Sequence, residues 1–379
     1  MAVGAKGTFD PVSYGRTSDM IDQSGRCIDY VRISITDRCN LRCIYCMPDD
    51  GACGLGHRFV FAPGQDEPDT ARFQRREPAE GGFLPDILGQ GERNAQILRL
   101  EEIERIVRIL TGLGIKHVRL TGGEPMARRG CLELAARLHA VSGVESISMT
   151  SNGILLKDRI HQAKLAGISS LNISIDALNP AVYSRLTRGG DVSLVLSTLE
   201  QALEEGLNVK VNTVPVRGMN EDELAGIAAL AMEKPLCVRF IELMPVGYGA
   251  QVEGIPNTEV EQMLEKAFGE PSVDTRIYGH GPARYVTYPC FKGSVGYISA
   301  LSHEFCDSCN RVRLTADGQL KLCLNHTKGL DLRAMLREGA DDKEILDAVR
   351  CAIAGKPKRH AFYETISDHE MRPMNMIGG

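Results

Sequence analysis

Hydrophobic and polar positions alternate along the first two thirds of the chain in a repeated pattern of strand and helix. The strand-like runs, which are rich in β-branched residues, are residues 29–36, 117–121, 146–150, 170–175, 208–214 and 237–243. Each run has the continuous apolar character of a strand that is buried on both faces. The stretches with apolar residues at helical spacing are residues 100–113, 132–141, 191–205 and 221–233. The pattern therefore predicts a series of β–α units.

Successive β–α units with right-handed crossovers build a parallel sheet whose active site lies at the C-terminal ends of the strands. The six units predict an α/β fold, an incomplete (βα)6 TIM-type barrel. Residues 49–96 are rich in Gly, Pro and charged residues, and we expect a long loop or a partly disordered insertion there. Short strand-like pieces at 284–288 and 295–299 indicate a C-terminal extension packed on the barrel. The predicted divisions are an N-terminal segment, the barrel with its insertion, and the extension, at residues 1–28, 29–268 and 269–379.

The composition is that of a globular protein without a membrane span. Of the 379 residues, 43% are hydrophobic and 25% are charged, and no apolar run approaches the roughly eighteen residues of a transmembrane helix. Residues 1–26 contain no apolar core and no Arg-rich amphipathic pattern, so we expect no targeting signal there and a cytoplasmic location. A net charge of -5 argues against a nucleic-acid-binding protein.

Cysteine is the residue type that changes this picture. The chain has 12 cysteines, and disulfides do not explain them in a reducing compartment. Isolated cysteines are predicted to be ordinary buried or surface residues, namely Cys27, Cys53, Cys131, Cys237, Cys290 and Cys351. The remaining cysteines form two groups of three.

The first group, Cys39, Cys43 and Cys46, directly follows the first predicted strand. Its thiolates therefore come from one loop at the catalytic end of the barrel. Three soft ligands suit a 4Fe–4S cluster in which one iron stays open for chemistry. A zinc site is the alternative, and it requires a fourth ligand, for which Cys53 or His57 is available in the sequence.

The second group, Cys306, Cys309 and Cys323, lies in the C-terminal extension. It again offers three thiols without an obvious fourth. A structural zinc ion held with His303 or His326 is the alternative to a second cluster. The residues alone leave both readings open.

Short motifs at the ends of the predicted strands carry a family resemblance. They are RISITDRC at 32–39, RLTGGEP at 119–125, TSNG at 150–153, NISID at 172–176 and RFIELM at 239–244. With the cysteine spacing, they make nearly the whole chain resemble the radical S-adenosylmethionine superfamily and, within it, the GTP 3′,8-cyclase family of molybdenum cofactor biosynthesis. The resemblance implies that the chain converts GTP into 3′,8-cyclo-7,8-dihydro-GTP. It also implies a second 4Fe–4S cluster at Cys306, Cys309 and Cys323, with its open iron facing the purine.

The resemblance implies a role for individual residues as well. The implied S-adenosylmethionine pocket comprises Tyr45, Gly123, Ser174 and Met244. The implied GTP contacts are Arg32, Arg119, Thr150, Lys210, Arg239, Arg311 and Arg313. The implied catalytic residues are Arg32, Arg311, Arg313, Gly378 and Gly379, and the two glycines are expected to reach into the active site.

Charge supports an anionic nucleotide substrate. An acidic chain must cluster cations to hold a triphosphate, and Arg32, Arg119 and Arg239 lie on strands that converge on the barrel interior. Lys210 adds a charge from the fifth strand. No P-loop motif occurs, so triphosphate binding need not imply hydrolysis.

The expected partners are GTP, an electron donor of the flavodoxin or ferredoxin type and a downstream cyclic pyranopterin synthase, with a homodimer as one compatible assembly. Residues 49–96 are longer than the matching segment of the family, and they would either cover the barrel mouth, contribute Arg58 or Arg93 to phosphate binding, or extend into solvent. We expect disorder there. The alternatives to a GTP cyclase are another radical enzyme, such as a peptide maturase, and a non-catalytic zinc-binding protein.

Overall fold

The computed structural model describes residues 20–47, 96–276, 278–364 and 369–378. Within these ranges a single sheet of 12 strands forms the centre of the molecule. The strands are β1 Tyr30–Ser34, β2 His117–Thr121, β3 Ser146–Ser151, β4 Ile168–Ser174, β5 Asn208–Thr213, β6 Cys237–Ile241, β7 Ser272–Val273, β8 Arg284–Thr287, β9 Ser294–Ile298, β10 Arg311–Leu314, β11 Gln319–Lys321 and β12 Gly329–Asp331. No helix in the described ranges is long and apolar enough to cross a bilayer.

Helices connect the parallel strands and cover their outer face. They are α1 Leu100–Thr111, α2 Cys131–His139, α3 Ile160–Leu165, α4 Pro180–Thr187, α5 Val192–Glu204, α6 Leu224–Glu233, α7 Asn257–Phe268, α8 Leu332–Arg337, α9 Asp342–Ala354 and α10 Met374–Ile377. The apolar face of α1 shows how this packing arises: Ile103, Ile106 and Leu110 are 0% exposed, and Glu102 closes a capping box at the start of the helix.

The predicted α/β barrel fold is confirmed. Strands β1 to β6 are parallel, stand in chain order and lie within two residues of the predicted runs. Their side chains are buried on both faces, as Ile33, Leu120 and Phe240 illustrate at 0% exposure. Because parallel strands all end at one edge, the loops after them meet there.

The C-terminal part of the chain extends the same sheet at both of its sides. Strand β10 pairs in parallel with β1, while β9 pairs in parallel with β6. Strands β11 and β12 continue antiparallel beyond β10, and β8 and β7 continue antiparallel beyond β9. The extension therefore flanks the barrel strands on either side, and this brings its loops to the catalytic edge.

Candidate active site

One cavity at the C-terminal ends of the strands is lined by both cysteine triads. The first triad comprises Cys39, Cys43 and Cys46, and the second triad comprises Cys306, Cys309 and Cys323. The other sequence-predicted residues that line this cavity are Arg32, Tyr45, Arg119, Gly123, Thr150, Ser174, Arg239, Met244, Arg311 and Arg313. The fold thus collects into one space residues from Arg32 to Asn375, which are 343 positions apart in the chain.

The loop of the first triad is held by backbone hydrogen bonds. The Cys46 amide donates to the Cys43 carbonyl at 2.9 Å, which turns the chain tightly between the two thiols. The amides of Arg42 and Ile44 donate to carbonyls at the C-terminal end of α4, each at 3.0 Å. The loop is therefore fixed before any ligand binds.

The thiols of the first triad sit in a site that favours their neutral form. Burial, and then the Glu124 carboxylate, raises the pKa of Cys39 to about 12, and burial together with Cys39 raises the pKa of Cys46 to about 12. Only a strongly cationic centre would hold all three as thiolates. At least one pair of sulfur atoms in this triad is more than 4.8 Å apart, whereas the sulfurs around a tetrahedral zinc ion lie about 4 Å apart. The donor set fits an iron–sulfur cluster better than a single zinc ion.

The glycine turn after β2 packs against this loop. A side chain on Gly123 would collide with the Arg38 carbonyl, and one on Gly122 would collide with the Thr36 carbonyl. The Glu124 amide donates to the Arg38 carbonyl at 2.7 Å. Glycine is therefore required at 122 and 123 for close backbone packing beside the first triad, whatever further contact these residues make with a ligand.

Two buried carboxylates flank the first triad, and the sequence analysis missed both. Glu124 accepts hydrogen bonds from the Ser151 hydroxyl at 2.9 Å and the Asn152 amide at 2.8 Å, and burial raises its pKa to about 7. Asp176 accepts from the Tyr45 hydroxyl at 2.5 Å and the Val214 amide at 2.9 Å, and burial raises its pKa to about 6. Glu124 follows the two glycines of the RLTGGEP motif, and Asp176 ends the NISID motif. Their position just after a predicted strand was the sequence signal that could have identified them.

Arginines from neighbouring strands form a cationic row across the sheet. Arg32 on β1 pairs in register with Arg313 on β10 and Arg119 on β2. Because in-register partners point to the same face, the three guanidinium groups converge on the cavity. Among the described residues, no carboxylate lies within 4.0 Å of any of them. The row therefore has the character of an anion site.

Unsatisfied donors point to the same conclusion. The Nε atoms of Arg32 and Arg311 are buried and have no hydrogen-bond partner. Burial lowers the pKa of Arg119 to about 9, and the nearby cations Arg32, Arg239 and Arg311 add to that effect. Buried cations and orphan donors without acids are costly in isolation. A ligand with several anionic oxygens would satisfy them.

Arg239 and Lys210 occupy the opposite side of the barrel interior. Arg239 donates to the Asn212 side chain at 2.9 Å from Nε and to the Asn172 side chain at 2.5 Å from Nη2. Lys210 does not line the cavity, and its Nζ donates to the Ser170 hydroxyl at 3.3 Å. Burial and the charge of Arg239 lower the pKa of Lys210 to about 8. Lys210 is therefore close enough to Arg239 and Arg119 to interact with them electrostatically, although it is not among the residues that line the cavity.

The second triad lies in a different electrostatic environment. Burial alone would raise the pKa of Cys309, but Lys356 and Arg311 outweigh it and lower that pKa to about 7. The sequence-proposed zinc ligands are engaged elsewhere, since His303 contacts the Ser302 hydroxyl and His326 contacts the Arg359 carbonyl.

A histidine that the sequence analysis missed lies beside the second triad. Atoms of Glu304, Cys306 and His360 approach within 4.8 Å of one another. The Nε2 atom of His360 also contacts the Ala300 carbonyl at 2.9 Å. Glu242 fixes the preceding loop, because it accepts from the amides of Leu301 at 2.8 Å and Ser302 at 3.0 Å.

The C-terminal segment crosses the cavity close to the first triad. Met374 and Asn375 line the cavity, and the Asn375 amide group donates to the Asp37 carbonyl at 2.7 Å. The Gly378 carbonyl accepts a hydrogen bond from Arg313. Gly378 has φ +79° and lies against Ser34, where a side chain would not fit. Gly379 lies outside the described residues, as do Cys53, His57, Arg58 and Arg93.

The chain matches two family models. The Radical SAM superfamily model covers residues 33–231, and the Molybdenum Cofactor Synthesis C model covers residues 236–362. The boundary between the two matches falls at the start of β6.

Curated relatives match over almost their full length. A GTP 3′,8-cyclase of Pelotomaculum thermopropionicum is 40% identical over 364 residues, which is 95% of this chain and 100% of the relative. A GTP 3′,8-cyclase of Clostridium perfringens strain 13 is 37% identical over 360 residues, again 95% of this chain and 100% of the relative.

Solved structures share the fold. SuiB of Streptococcus suis has a TM-score of 0.54 at 12% identity, over 86% of this chain and 68% of that one. SuiB bound to S-adenosylmethionine has a TM-score of 0.53 at 13% identity, over 88% of this chain and 73% of that one.

Proposed function

Since this chain belongs to the GTP 3′,8-cyclase family of the radical S-adenosylmethionine superfamily, we propose that it converts GTP to 3′,8-cyclo-7,8-dihydro-GTP, the first step of molybdenum cofactor biosynthesis. One structural observation supports the proposal independently of the family relationship. A cavity bounded by two cysteine triads contains a row of arginines with no carboxylate partner among the described residues. A cluster at each triad and a polyanion beside the arginines would account for the unsatisfied Nε donors of Arg32 and Arg311.

The first triad would hold three irons of a 4Fe–4S cluster, with the fourth iron facing the cavity. Tyr45, Gly123, Ser174 and Met244 surround the adjacent space and would bind S-adenosylmethionine. Bound together, these two groups supply reductive cleavage of a carbon–sulfur bond and, through it, hydrogen removal from C3′ of the ribose. The protein positions the ribose and keeps water out of the cavity.

The arginine row would bind the triphosphate. Arg32, Arg119 and Arg313 converge from adjacent strands, and planar guanidinium groups bind phosphate oxygens in pairs. Thr150 and Arg311 line the same wall and would bind the rest of the nucleotide, with Arg239 opposite. Lys210, which lies near Arg239 and Arg119, would add its ammonium group to the GTP contacts.

The second triad would carry a second 4Fe–4S cluster whose open iron binds the guanine base. Three thiols that line the same cavity, and the cations Lys356 and Arg311 beside Cys309, support this assignment. Gly378, held by Arg313, would close the pocket over the substrate, and Gly379 would extend this contact. An electron donor of the flavodoxin or ferredoxin type and a cyclic pyranopterin synthase that takes the product complete the proposal.

The proposal is tested with anaerobically purified, reduced protein incubated with S-adenosylmethionine. We expect 5′-deoxyadenosine and the cyclised nucleotide to form only when GTP is present. Formation of 5′-deoxyadenosine that is independent of GTP would instead point to another substrate, such as a peptide. Metal analysis separates the enzyme from a zinc-binding protein, since two cubanes contain about eight irons per chain, whereas zinc without sulfide would refute the proposal.

A further inference from the structure

Lys356 is a buried cation with no acidic partner among the residues that the structure describes. It follows α9 directly, is 2% exposed and lines the cavity beside the second triad. Its Nζ donates to the carbonyl of Arg311 at 3.0 Å and to the carbonyl of Leu322. No carboxylate of the described residues lies within 4.0 Å of this ammonium group. Carbonyl dipoles alone compensate a buried charge poorly, so its counter-charge must lie elsewhere.

The two carbonyls place the ammonium group between the segments that carry the second triad. Arg311 lies two residues after Cys309, and Leu322 immediately precedes Cys323. Burial lowers the pKa of Lys356, and the two neighbouring cysteines oppose that effect. The anionic groups nearest in sequence to its two carbonyl partners are the thiolates of Cys309 and Cys323, whereas the Glu304 carboxylate lies beside Cys306 and His360.

The position of Lys356 is fixed by its own backbone. Arg26 donates to the carbonyls of Lys356 at 3.4 Å and Pro357 at 2.8 Å, and also to the Cys306 carbonyl at 2.8 Å. Arg26 itself is balanced by Asp22, whose carboxylate lies 2.6 Å away. Arg26 thus organises the site as a compensated cation, whereas the charge of Lys356 stays uncompensated.

The first triad shows the opposite arrangement. Two buried acids lie beside it: Glu124 accepts from the backbone amide of Asn152, whose side chain contacts the Cys39 sulfur at 3.8 Å, and Asp176 accepts from the hydroxyl of Tyr45, next to Cys46. A cation contacts this loop as well, since Arg42 donates to the Cys39 carbonyl at 2.7 Å. A negative surrounding opposes the addition of an electron to a cluster, and a positive one favours it. Buried acids thus lie beside the first triad, whereas a buried ammonium group lies between the segments that carry the second.

We propose that Lys356 is the fixed counter-charge of the cluster at the second triad and favours its reduced state. The inference rests on the second cluster of the proposed function. One electron from an external one-electron reductant, such as dithionite, enters the cluster, and no bond or proton needs to move. Three thiolates and the cluster core together change from one net negative charge to two, and the ammonium group stabilises the second charge.

The experiment compares Lys356→Met with Lys356→Arg in the full chain. Both are placed in a background in which the first triad is replaced by alanine, so that every cluster signal comes from the second. Reductive titration with dithionite and mediators, without GTP, is followed by electron paramagnetic resonance. We expect the Met variant to lose at least tenfold in the ratio of reduced to oxidised cluster at a fixed potential, a shift of about 59 mV for one electron. The Arg variant keeps the charge and stays near the parent.

A double variant, Lys321→Met with Glu370→Gln, is the matched control. Lys321 is equally buried, at 0% exposure, and lies two residues before Cys323, but its charge is balanced by Glu370. Removing the balanced pair leaves the net charge unchanged, so we expect no shift in potential. An equal shift in this control would mean that general disturbance of the site, not the Lys356 charge, sets the potential.

Each remaining outcome decides the inference. If Lys356→Met keeps its full iron content and the reduction potential of the cluster is unchanged, the inference is overturned. This also holds if the variant binds GTP more weakly, because the lysine then belongs to the substrate site. If the Met variant loses its iron, Lys356→Gln takes its place in the titration. Iron loss in both neutral variants but not in Lys356→Arg supports the need for a positive charge at this position. Iron loss in all three variants overturns the inference. Wild-type protein with only about four irons per chain would refute the second cluster itself, whereas about eight irons with an unchanged potential refutes this inference alone.

Discussion

At the scale of single residues, the main feature of the site is a set of buried cations for which the described part of the chain offers no carboxylate partner. Arg119 is 8% exposed, and its Nε donates to the Ser148 hydroxyl at 3.1 Å. Its remaining donors are available to a ligand. The neighbouring in-register partner Arg32 has a buried Nε without any acceptor. Binding energy for an anion is therefore stored in the folded protein, as desolvated donors already held in place.

Arg119→Met tests this view. The substitution keeps the volume of the side chain but removes a charged hydrogen-bond donor, which is worth roughly 1.5–3 kcal/mol. We expect the dissociation constant for GTP to rise by about tenfold to a hundredfold in anaerobic calorimetry. Arg108→Met, which removes an exposed partner of Glu104 on α1, is the control and should bind normally. Normal GTP binding by the Arg119 variant would contradict the arginine row as the triphosphate site.

Glu370 anchors the C-terminal segment from within the protein. Its carboxylate accepts hydrogen bonds from Lys321 and from Arg372, the latter at 3.0 Å. Burial alone would raise the pKa of Glu370, but the bonds from Arg372 and Lys321 hold that pKa below its usual value. A depressed pKa in the folded state means that the ionised group contributes stability above the unfolded pKa and loses it as the pH falls through the folded pKa.

Glu370→Gln should therefore destabilise the protein in a pH-dependent way. Breaking a buried ion pair by removing one partner costs about 3 kcal/mol in the free energy of unfolding at pH 7. The difference from wild type should shrink as the pH falls below about 4.5, because Glu370 is then protonated in the unfolded chain and, once the pH passes its lower folded pKa, in the folded protein as well. Urea unfolding across this range measures it. Glu200→Gln, at a half-exposed ion pair with Lys234, should change stability by less than about 1 kcal/mol. A pH-independent difference would contradict the argument.

At the scale of elements, strands were easier to predict than the pairing between them. The runs at β1 to β6 are continuous and β-branched, and burial on both faces preserves that signal along the sequence. Helix α4 was missed although Asn179 caps it and Pro180 begins it, since its short apolar pattern resembles a loop. The pairing of β10 with β1 joins Tyr30 to Arg311, and no local pattern reveals a contact across that separation.

The residues of the candidate site likewise divide into those that the sequence could reveal and those that it could not. The cysteines and arginines could be found because their side chains are unusual at strand ends. Lys356 and Asn375 could not be found in this way. Lys356 lies in the turn after α9 and Asn375 near the start of α10, and only the tertiary fold brings them to the cavity. Lys210 was expected among the substrate contacts; its Nζ donates to the Ser170 hydroxyl at 3.3 Å, and its contact with GTP stays a prediction.

Glycine at the turn after β2 gives a prediction at this scale. In Gly123→Ala the new methyl group would meet the Arg38 carbonyl and push the loop of the first triad outward. We expect iron content to fall by about half while the second cluster remains, since each cubane holds about four irons. Gly226→Ala within α6 is the matched control, because its methyl group would meet only Leu178 at 3.7 Å and should raise stability by about 0.5–1 kcal/mol. Full iron content in Gly123→Ala would contradict the packing argument.

At the scale of the whole molecule, the two sequence-family regions share one sheet. The barrel strands β1 and β6 each have a C-terminal strand as an outer neighbour, namely β10 and β9. Both edges of an isolated barrel region would therefore be long, unpaired and apolar, which is the condition for aggregation. The chain is expected to unfold as one cooperative unit rather than as two domains.

Truncation after residue 268 checks this expectation. The shortened chain ends at Phe268, the last residue of α7, and it lacks β9 and β10. We expect it to be insoluble or to unfold without a cooperative transition in circular dichroism, whereas the full chain gives a single transition. A soluble fragment with a sharp transition would show that the barrel region folds without its C-terminal neighbours.

The register between Tyr30 and Arg311 also sets an order of events during protein synthesis. Strand β1 leaves the ribosome early, but its outer neighbour is made about 280 residues later, which takes roughly 14–56 s at bacterial or eukaryotic elongation rates. For that time the loop of Cys39, Cys43 and Cys46 exists without the C-terminal segment that crosses it. Iron delivered to the nascent chain would meet an open, oxygen-accessible site. Delivery after release of the finished chain avoids this exposure, so maturation of the first cluster is best timed to follow translation.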